Sequence, residues 1–406
     1  MVNSMRVDDA SVQRNALPIG LAKLTRLAFA GVDLGRIAGR LRGMCERDPS
    51  HAGALMDLSV IDQLNGDVVI GLERQALALS QQRVFHSTCC GANPRLRVLA
   101  FFAAADIGAN TPLEFLLEGS DIALTMAYAL PGRALPHDLP DHDLAFVAIA
   151  ATPSNRRLLA DLEERLRFWP APVVNLPARV SMLEPDDLGD HLRDVPGLRT
   201  PLFERRRRDQ LAAPGDSCFP LVVKPVAPAE WEPEKIDGPD ALGALLARRH
   251  DPQFRVAPFI DCRGADDRYR KIRVIFVDRR AYACHLAVSD GWNASHVDAR
   301  MQADAASRAE EEQFFATFDT EFAIRHAQTF DALIDRVGLA YFGVDCAETL
   351  SGELAVFRAD HTLLVHDMDP VDVFPYRPSQ MRKMFDAFSG YLYQAAGRSR
   401  AERRRP

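Results

Sequence analysis

Three pieces of one stretch decide the fold: FPLVVKPV at 219–226, RVAPFIDCRGADDRYRKIRVIFVDRRAYACHLAVSDGW at 255–292, and LAYFGVDCAETLSGELAVFRAD at 339–360. Lys224 closes the apolar run LVV and is one of five lysines, with Lys23, Lys235, Lys271 and Lys383, in a chain that otherwise draws its positive charge from arginine. A lysine between two valines and Pro225 points to a specific task rather than to a solvated strand edge. Ile272, Val274 and Phe276 alternate with Arg273 and its neighbours, the pattern of a strand with one buried and one wet face. Period-two geometry then puts Lys271 and Arg273 on the same face, where two cations suit a γ-phosphate or an acyl-phosphate formed in transit. Asp345 and Asp360 each end a strand-like run, and the turn signal Ser351-Gly352 separates them.

The size of the chain, 406 residues with 47% hydrophobic content, allows two or three domains with full cores and excludes a single small one. A net charge of −7 disfavours non-specific nucleic-acid binding. The basic runs at 205–208 and 403–405 read as a solvated face and a frayed tail. Seven cysteines, Cys89 and Cys90 adjacent and Cys45, Cys218, Cys262, Cys284 and Cys346 scattered, show no metal spacing and no disulfide framework, which suggests a reducing compartment. The apolar patch LAKLTRLAFAG at 21–31 is broken by Lys23 and Arg26, so neither a signal peptide nor a spanning helix fits. A cytoplasmic protein with no membrane and no nucleic-acid partner is expected.

Residues 1–17 read as loosely held. From Pro18 to about Phe85 the pattern is helical, with Leu34, Ile37, Leu41 and Met44 at three- and four-residue steps. Asp48-Pro49 is a break, Ser50 the expected cap of the next helix, and Asn65-Gly66-Asp67 the turn of a helical hairpin. That hairpin resembles a tetratricopeptide-type unit; it is expected to serve packing, self-association or a protein partner rather than a peptide-binding array. Residues 86–94 read as a linker. Strands RLRVLAFFA, IALTMAYAL, DLAFVAIA and PVVNLP then alternate with helical stretches, as in a parallel, doubly wound sheet. AAADIG follows the first of these strands, so no dinucleotide fingerprint is present. Further on come a loop and then a helix from Pro239, a helical insert at 303–338 and a last helix at 380–395.

The order of a strand lysine, the short hinge APFI and two late acidic strands resembles the ATP-grasp superfamily over roughly residues 95–390. The resemblance implies an α/β (α+β) chain: a helical domain at 1–90, a small open parallel α/β domain at 95–200, a two-layer ATP-grasp domain at 201–395 and a disordered basic tail at 396–406. It implies ATP and Mg²⁺ as cofactors. Lys224 would hold the α/β-phosphates, the backbone of Val256, Ala257, Pro258, Phe259 and Ile260 the adenine, and Asp261 the ribose. Arg273, with Lys271, would serve the transferred phosphate, and Asp345 and Asp360 the metal. His285, His296 and Arg358 are candidate substrate contacts.

One position departs from the family pattern. Where a bridging glutamate is usual, the sequence reads Arg358-Ala359-Asp360. Unit charges about 4 Å apart at an effective dielectric of about 20 repel by roughly 4 kcal/mol. That weakens metal binding unless Glu348, Glu353 or Asp367 moves in, or Arg358 itself binds phosphate. Two readings follow. In the first, ATP activates a carboxylate as an acyl-phosphate and an amine attacks, giving an amide or peptide-like bond; the substrates are small-molecule or peptide acids and amines. In the second, the chain is a catalytically degraded nucleotide- and partner-binding module. No Gly-x-Ser-x-Gly elbow supports a serine hydrolase.

Overall fold

The computed structural model describes residues 17–88, 93–137, 139–185, 187–212, 219–226, 232–293 and 300–402. His296, Cys89, Cys90, Cys218, residues 1–16 and the basic run at 403–405 lie outside them. The described residues form a mixed α/β fold with three sheets.

Among the described residues the first elements are four helices, Leu21–Phe29, Gly35–Arg47, Ala52–Leu64 and Val68–Gln81. Ile37, Ala38 and Leu41 bury one stripe of the second against Leu58 and Ile61 of the third. The third helix is buried almost all round, because its other side, Leu55 and Met56, joins the core of the first sheet. The expected cap Ser50 is instead tied to Asp48, and the His51 imidazole accepts from the Ala54 amide. Gly66, at φ 90°, makes the hairpin turn.

The first sheet has the order β1-β3-β2-β4-β5, with β1 Val84–His86, β2 Leu96–Ala103, β3 Ile122–Ala129, β4 Leu144–Val147 and β5 Val173–Val174. Strands β2 to β5 are parallel, and apolar runs such as that of β2 are covered on both faces. β1 is a correction. Expected at the end of a helix and the start of a linker, it pairs antiparallel with β3, because Val84 and Phe85 are apolar enough to close the sheet edge. The chain places β3 on one side of β2 and then crosses over to place β4 on the other, so the C-terminal end of β2 is a switch point.

The second sheet, β7-β10-β8-β9, is antiparallel: β7 Glu204–Arg207, β8 Leu221–Pro225, β9 Glu234–Ile236 and β10 Gln253–Pro258. The helix Pro239–Arg248 covers it through Leu242 and Leu245. One further correction belongs here: β9 lies in a segment expected to be loop. The arginine run, expected as a solvated face, supplies the largely exposed edge strand β7, a guard against edge-to-edge pairing.

The third sheet has the order β12-β11-β13-β14-β6, with β6 Leu198–Arg199, β11 Tyr269–Val277, β12 Arg280–Ser289, β13 Tyr341–Glu348 and β14 Leu354–Asp360. β11 alternates only at its start. From Val274 to Val277 every residue is buried, since Phe330 of the helix Ala327–Val337 packs on Phe276 while Ile275 presses against Gly343 on the adjoining strand. The helical insert at 303–338 is made of the helices Ala305–Thr317, Phe322–Arg325 and Ala327–Val337. The last helix, Arg377–Glu402, wedges the first and third sheets together: Phe388 meets Phe146 of β4 at 5.9 Å and Tyr341 of β13 at 4.9 Å between ring centroids. Residues 396–402, expected as disordered tail, continue this helix, and buried Ala396 is the packing reason. No helix among the described residues is long and apolar enough to cross a membrane.

Candidate functional site

Antiparallel register builds the site. Asp345 on β13 stands directly opposite Arg273 on β11 and opposite Arg358 on β14, so the three form a charged row across the third sheet. Arg273 grips both oxygens of Asp345, Nε to Oδ1 at 2.8 Å and Nη2 to Oδ2 at 3.1 Å. The pair is nearly buried, with side-chain exposures of 14% and 5%. Lys271 lies two residues from Arg273. Burial lowers its pKa, and the guanidinium charges of Arg273 and Arg358 push the same way against the attraction of Asp345.

Between Asp345 and Cys346 the β13–β14 register slips: Asp345 faces Arg358 but Cys346 faces Val356. Phe357 is the extra residue of this bulge. Bulges re-aim side chains, and here both Phe357 and Arg358 line a cavity of about 310 Å³ between the second and third sheets. The second sheet contributes Val222, Lys224 and Pro258, and the chain leaving it contributes Phe259 and Ile260; Lys271 and Asp345 face them from the third. The Lys224 ammonium sits 4.9 Å from the centre of the Phe203 ring, which directs it. Phe259 and Trp292 stand edge to face at 5.7 Å, and the Lys235 ammonium is 4.8 Å from the Phe259 ring centre. One cavity therefore joins an aromatic region and a group of cations.

A second cavity, about 450 Å³, adjoins the first and shares Phe203, Lys224, Phe357 and Arg358 with it. Its far wall is Gly108 and Ala109 after β2 and Ala150 and Ala151 after β4, at the switch point of the parallel sheet. Asp360 lines this second cavity. Its Oδ2 accepts from Arg358 at 2.6 Å and its Oδ1 from the Thr362 amide and hydroxyl. Burial raises its pKa, and the charge and hydrogen bond of Arg358 outweigh this and hold it low.

The other expected residues are placed differently. Val256 points into the core under the helix Pro239–Arg248, and neither it nor Ala257 lines the cavity. Asp261 is held by the Arg263 fork at 2.7 Å. Arg273 reaches the cavity only through Asp345. His285 stands opposite Arg273 on β12 but is bonded to Glu311 under the helix Ala305–Thr317. Phe203, Trp292 and Phe357 were not foreseen; the bulge that exposes Phe357 leaves no mark in the alternation of ELAVFRAD.

No family model and no curated protein matches the chain. Solved structures do match. A RimK domain protein ATP-grasp from Sphaerobacter thermophilus is 17% identical with a TM-score of 0.39, covering 73% of this chain and 99% of that one. A D-alanine–D-alanine ligase from Bacillus anthracis, complexed with ATP, is 12% identical at 0.40, covering 76% and 99%. The ATP-grasp ligase PsnB, complexed with a precursor peptide and AMPPNP, is 13% identical at 0.41, covering 74% and 99%. Likeness at this level decides nothing about chemistry, which has to come from the residues of this chain.

Those residues do not fit a resident Mg²⁺. Hard divalent ions need carboxylate or carbonyl oxygens facing the site, and both oxygens of Asp345 are engaged by Arg273, while those of Asp360 are engaged by Arg358 and by Thr362. Glu348 is taken by Arg325 and His326, Glu353 by Arg199, and Asp367 by Arg26. Among the described residues no group of three or more His, Cys, Asp or Glu could hold a metal ion.

Proposed function

We propose that the cavity between the second and third sheets binds a nucleoside triphosphate in the manner of an ATP-grasp protein. The base would lie in the aromatic region by Phe259 and Trp292 and the phosphates against Lys224, Lys271 and Arg358. The observation that carries this reading is that one cavity receives cations from both sheets and aromatic rings beside them. A flat base with an anionic tail matches both halves.

The second cavity supports a use for the nucleotide. It opens beside Lys224 and Arg358, where the terminal phosphate would lie, and it has room for an acid and an amine. In the ligase reading, a carboxylate oxygen of the acid attacks the γ-phosphorus and ADP departs. The amine then attacks the acyl carbon, phosphate leaves with the bonding pair, and the amine nitrogen loses a proton. Positioning and cationic charge carry such chemistry without a protein nucleophile. ADP and phosphate released only when both an acid and an amine are supplied is the expected result; nucleotide binding with no turnover across a broad acid and amine panel would leave the binding-module reading, which the neutralised state of Asp345 and Asp360 favours.

Lys224→Ala is expected to weaken ATP binding about 10- to 100-fold, as befits loss of a hydrogen bond to a charged group. Titration calorimetry checks this, and an unchanged affinity would remove Lys224 from the site. A bound phosphate favours the charged form of Lys271, whose pKa is lowered in the open site. Binding therefore takes up protons once the free lysine begins to lose its charge, and affinity falls as pH rises through its lowered pKa. Calorimetry in buffers of different ionisation enthalpy reads that uptake directly. Lys271→Met is expected to abolish it.

A further inference from the structure

Four observations meet at Arg358. It stands opposite Asp345 in the β13–β14 register. The bulge at Phe357 turns it toward solvent space, so that it lines both cavities, as Lys224 does from the other sheet. Its side chain is 52% exposed, and it holds an oxygen of Asp360 at 2.6 Å. The carboxylate nearest to it along the row, Asp345, is closed off by the two-point grip of Arg273. Among the residues lining the two cavities, Lys224, Arg270, Lys271 and Arg358 stand against Asp106, Asp345 and Asp360, four positive and three negative charges, a net of +1.

A polyphosphate in water can be neutralised by a divalent cation or by fixed cationic side chains, and the two compete. A fixed guanidinium presents several donors to phosphate oxygens in a planar fork. It also repels any ion that would sit beside it. With both late aspartates already neutralised, a metal brought in with the nucleotide gains no protein ligand from them and meets Arg358 and Lys271.

We infer that this cleft binds its nucleoside polyphosphate in the metal-free form, with the Arg358 guanidinium occupying the junction of the two cavities where a divalent cation would otherwise neutralise the terminal phosphates. The inference rests on the nucleotide reading above and sharpens it into a specificity. The free, more highly charged polyphosphate is preferred over its metal complex. Affinity in the absence of metal therefore climbs from AMP to ADP to ATP. Magnesium weakens binding by withdrawing the free ligand.

The test is titration of the full chain with ATP, ADP and AMP, once in EDTA and once in excess Mg²⁺. Affinity for ATP tighter in EDTA than in excess Mg²⁺ supports the inference, and equal or weaker affinity in EDTA overturns it. ATP binding that requires Mg²⁺ overturns it while leaving the nucleotide cleft in place, and binding of no nucleotide under either condition overturns both. Arg358→Glu is expected to weaken binding in EDTA at least tenfold and to make added Mg²⁺ strengthen it; an unchanged affinity in EDTA counts against the inference. Because Arg358 is half-exposed, the variant is expected to keep the unfolding midpoint of the parent. Should it not fold, Arg358→Gln serves: weaker binding in EDTA supports the inference, and unaltered binding overturns it.

Discussion

Arg273→Ala is expected to lower the free energy of unfolding by about 3–5 kcal/mol, the range for breaking a buried ion pair from one side. Arg273 and Asp345 face each other in register and share two hydrogen bonds at 2.8 and 3.1 Å, with the carboxylate 5% exposed. Removing the guanidinium takes the two-point partner from that nearly buried carboxylate, which lines the same cavity as Lys271 and Arg358. The loss should therefore exceed what an exposed pair gives, about 0.2–1 kcal/mol. The double variant Arg273→Ala with Asp345→Ala removes the stranded charge and is expected to recover more than half of the loss. Urea unfolding of the parent, both single variants and the double variant closes the cycle. A loss below about 1 kcal/mol for Arg273→Ala would mean that the pair contributes no more than a surface contact. Arg273→Lys is expected to fall between, since a lysine keeps the charge but cannot make the fork.

This pair marks the boundary of what the sequence could tell. Lys224, Lys271 and Asp345 were legible because each sits in or ends a strand with a clear apolar pattern, and strand periodicity fixes the face a residue occupies. The partner of a face was not legible. Arg273 and Asp345 are 72 residues apart, and register between distant strands follows from packing that no local pattern encodes. Giving Arg273 to the transferred phosphate and Asp345 to the metal therefore overlooks that each is bonded to the other. Short strands escaped for a related reason: β1, β6 and β9 have two or three residues each, too few to show alternation, and they exist because a neighbouring strand needed an edge partner. The bulge at Phe357 is a single extra residue, and only the slip between Asp345 and Cys346 reveals it. His285 failed as a cavity residue because its partner, Glu311, arrives from the helical insert, whose place on the back of β12 depends on the tertiary fold.

Glu311 carries the second large effect. Its side chain is fully buried; Oε2 accepts from the Tyr376 hydroxyl at 2.7 Å and from Arg377 Nε and Nη2 at 2.9 and 2.7 Å, while Oε1 meets His285 and the Leu286 amide. One carboxylate thus ties the helix Ala305–Thr317 to β12 and to the first turn of the helix Arg377–Glu402, the wedge between two sheets. Glu311→Ala is expected to cost about 3–5 kcal/mol, because Arg377, 9% exposed, would keep among the described residues only Asp369 as an ion-pair partner and the Tyr376 hydroxyl would lose its acceptor. Acid should reveal the same interaction without mutation. Burial raises the Glu311 pKa, but the hydrogen bond and charge of His285 and the charge of Arg377 outweigh it and hold the group below the usual carboxylate value. A depressed folded-state pKa gives stability that is present in full above the unfolded-state value and is lost as pH falls through the folded-state one. The parent should therefore lose stability in that acid window, and Glu311→Gln, which has no charge to titrate, should lose less there while starting lower at neutral pH. Equal slopes for parent and variant through the window would mean that Glu311 is not held ionised by its partners, and the lock between helix and sheet would have to be assigned to the apolar contacts of Phe315 and Phe388 instead.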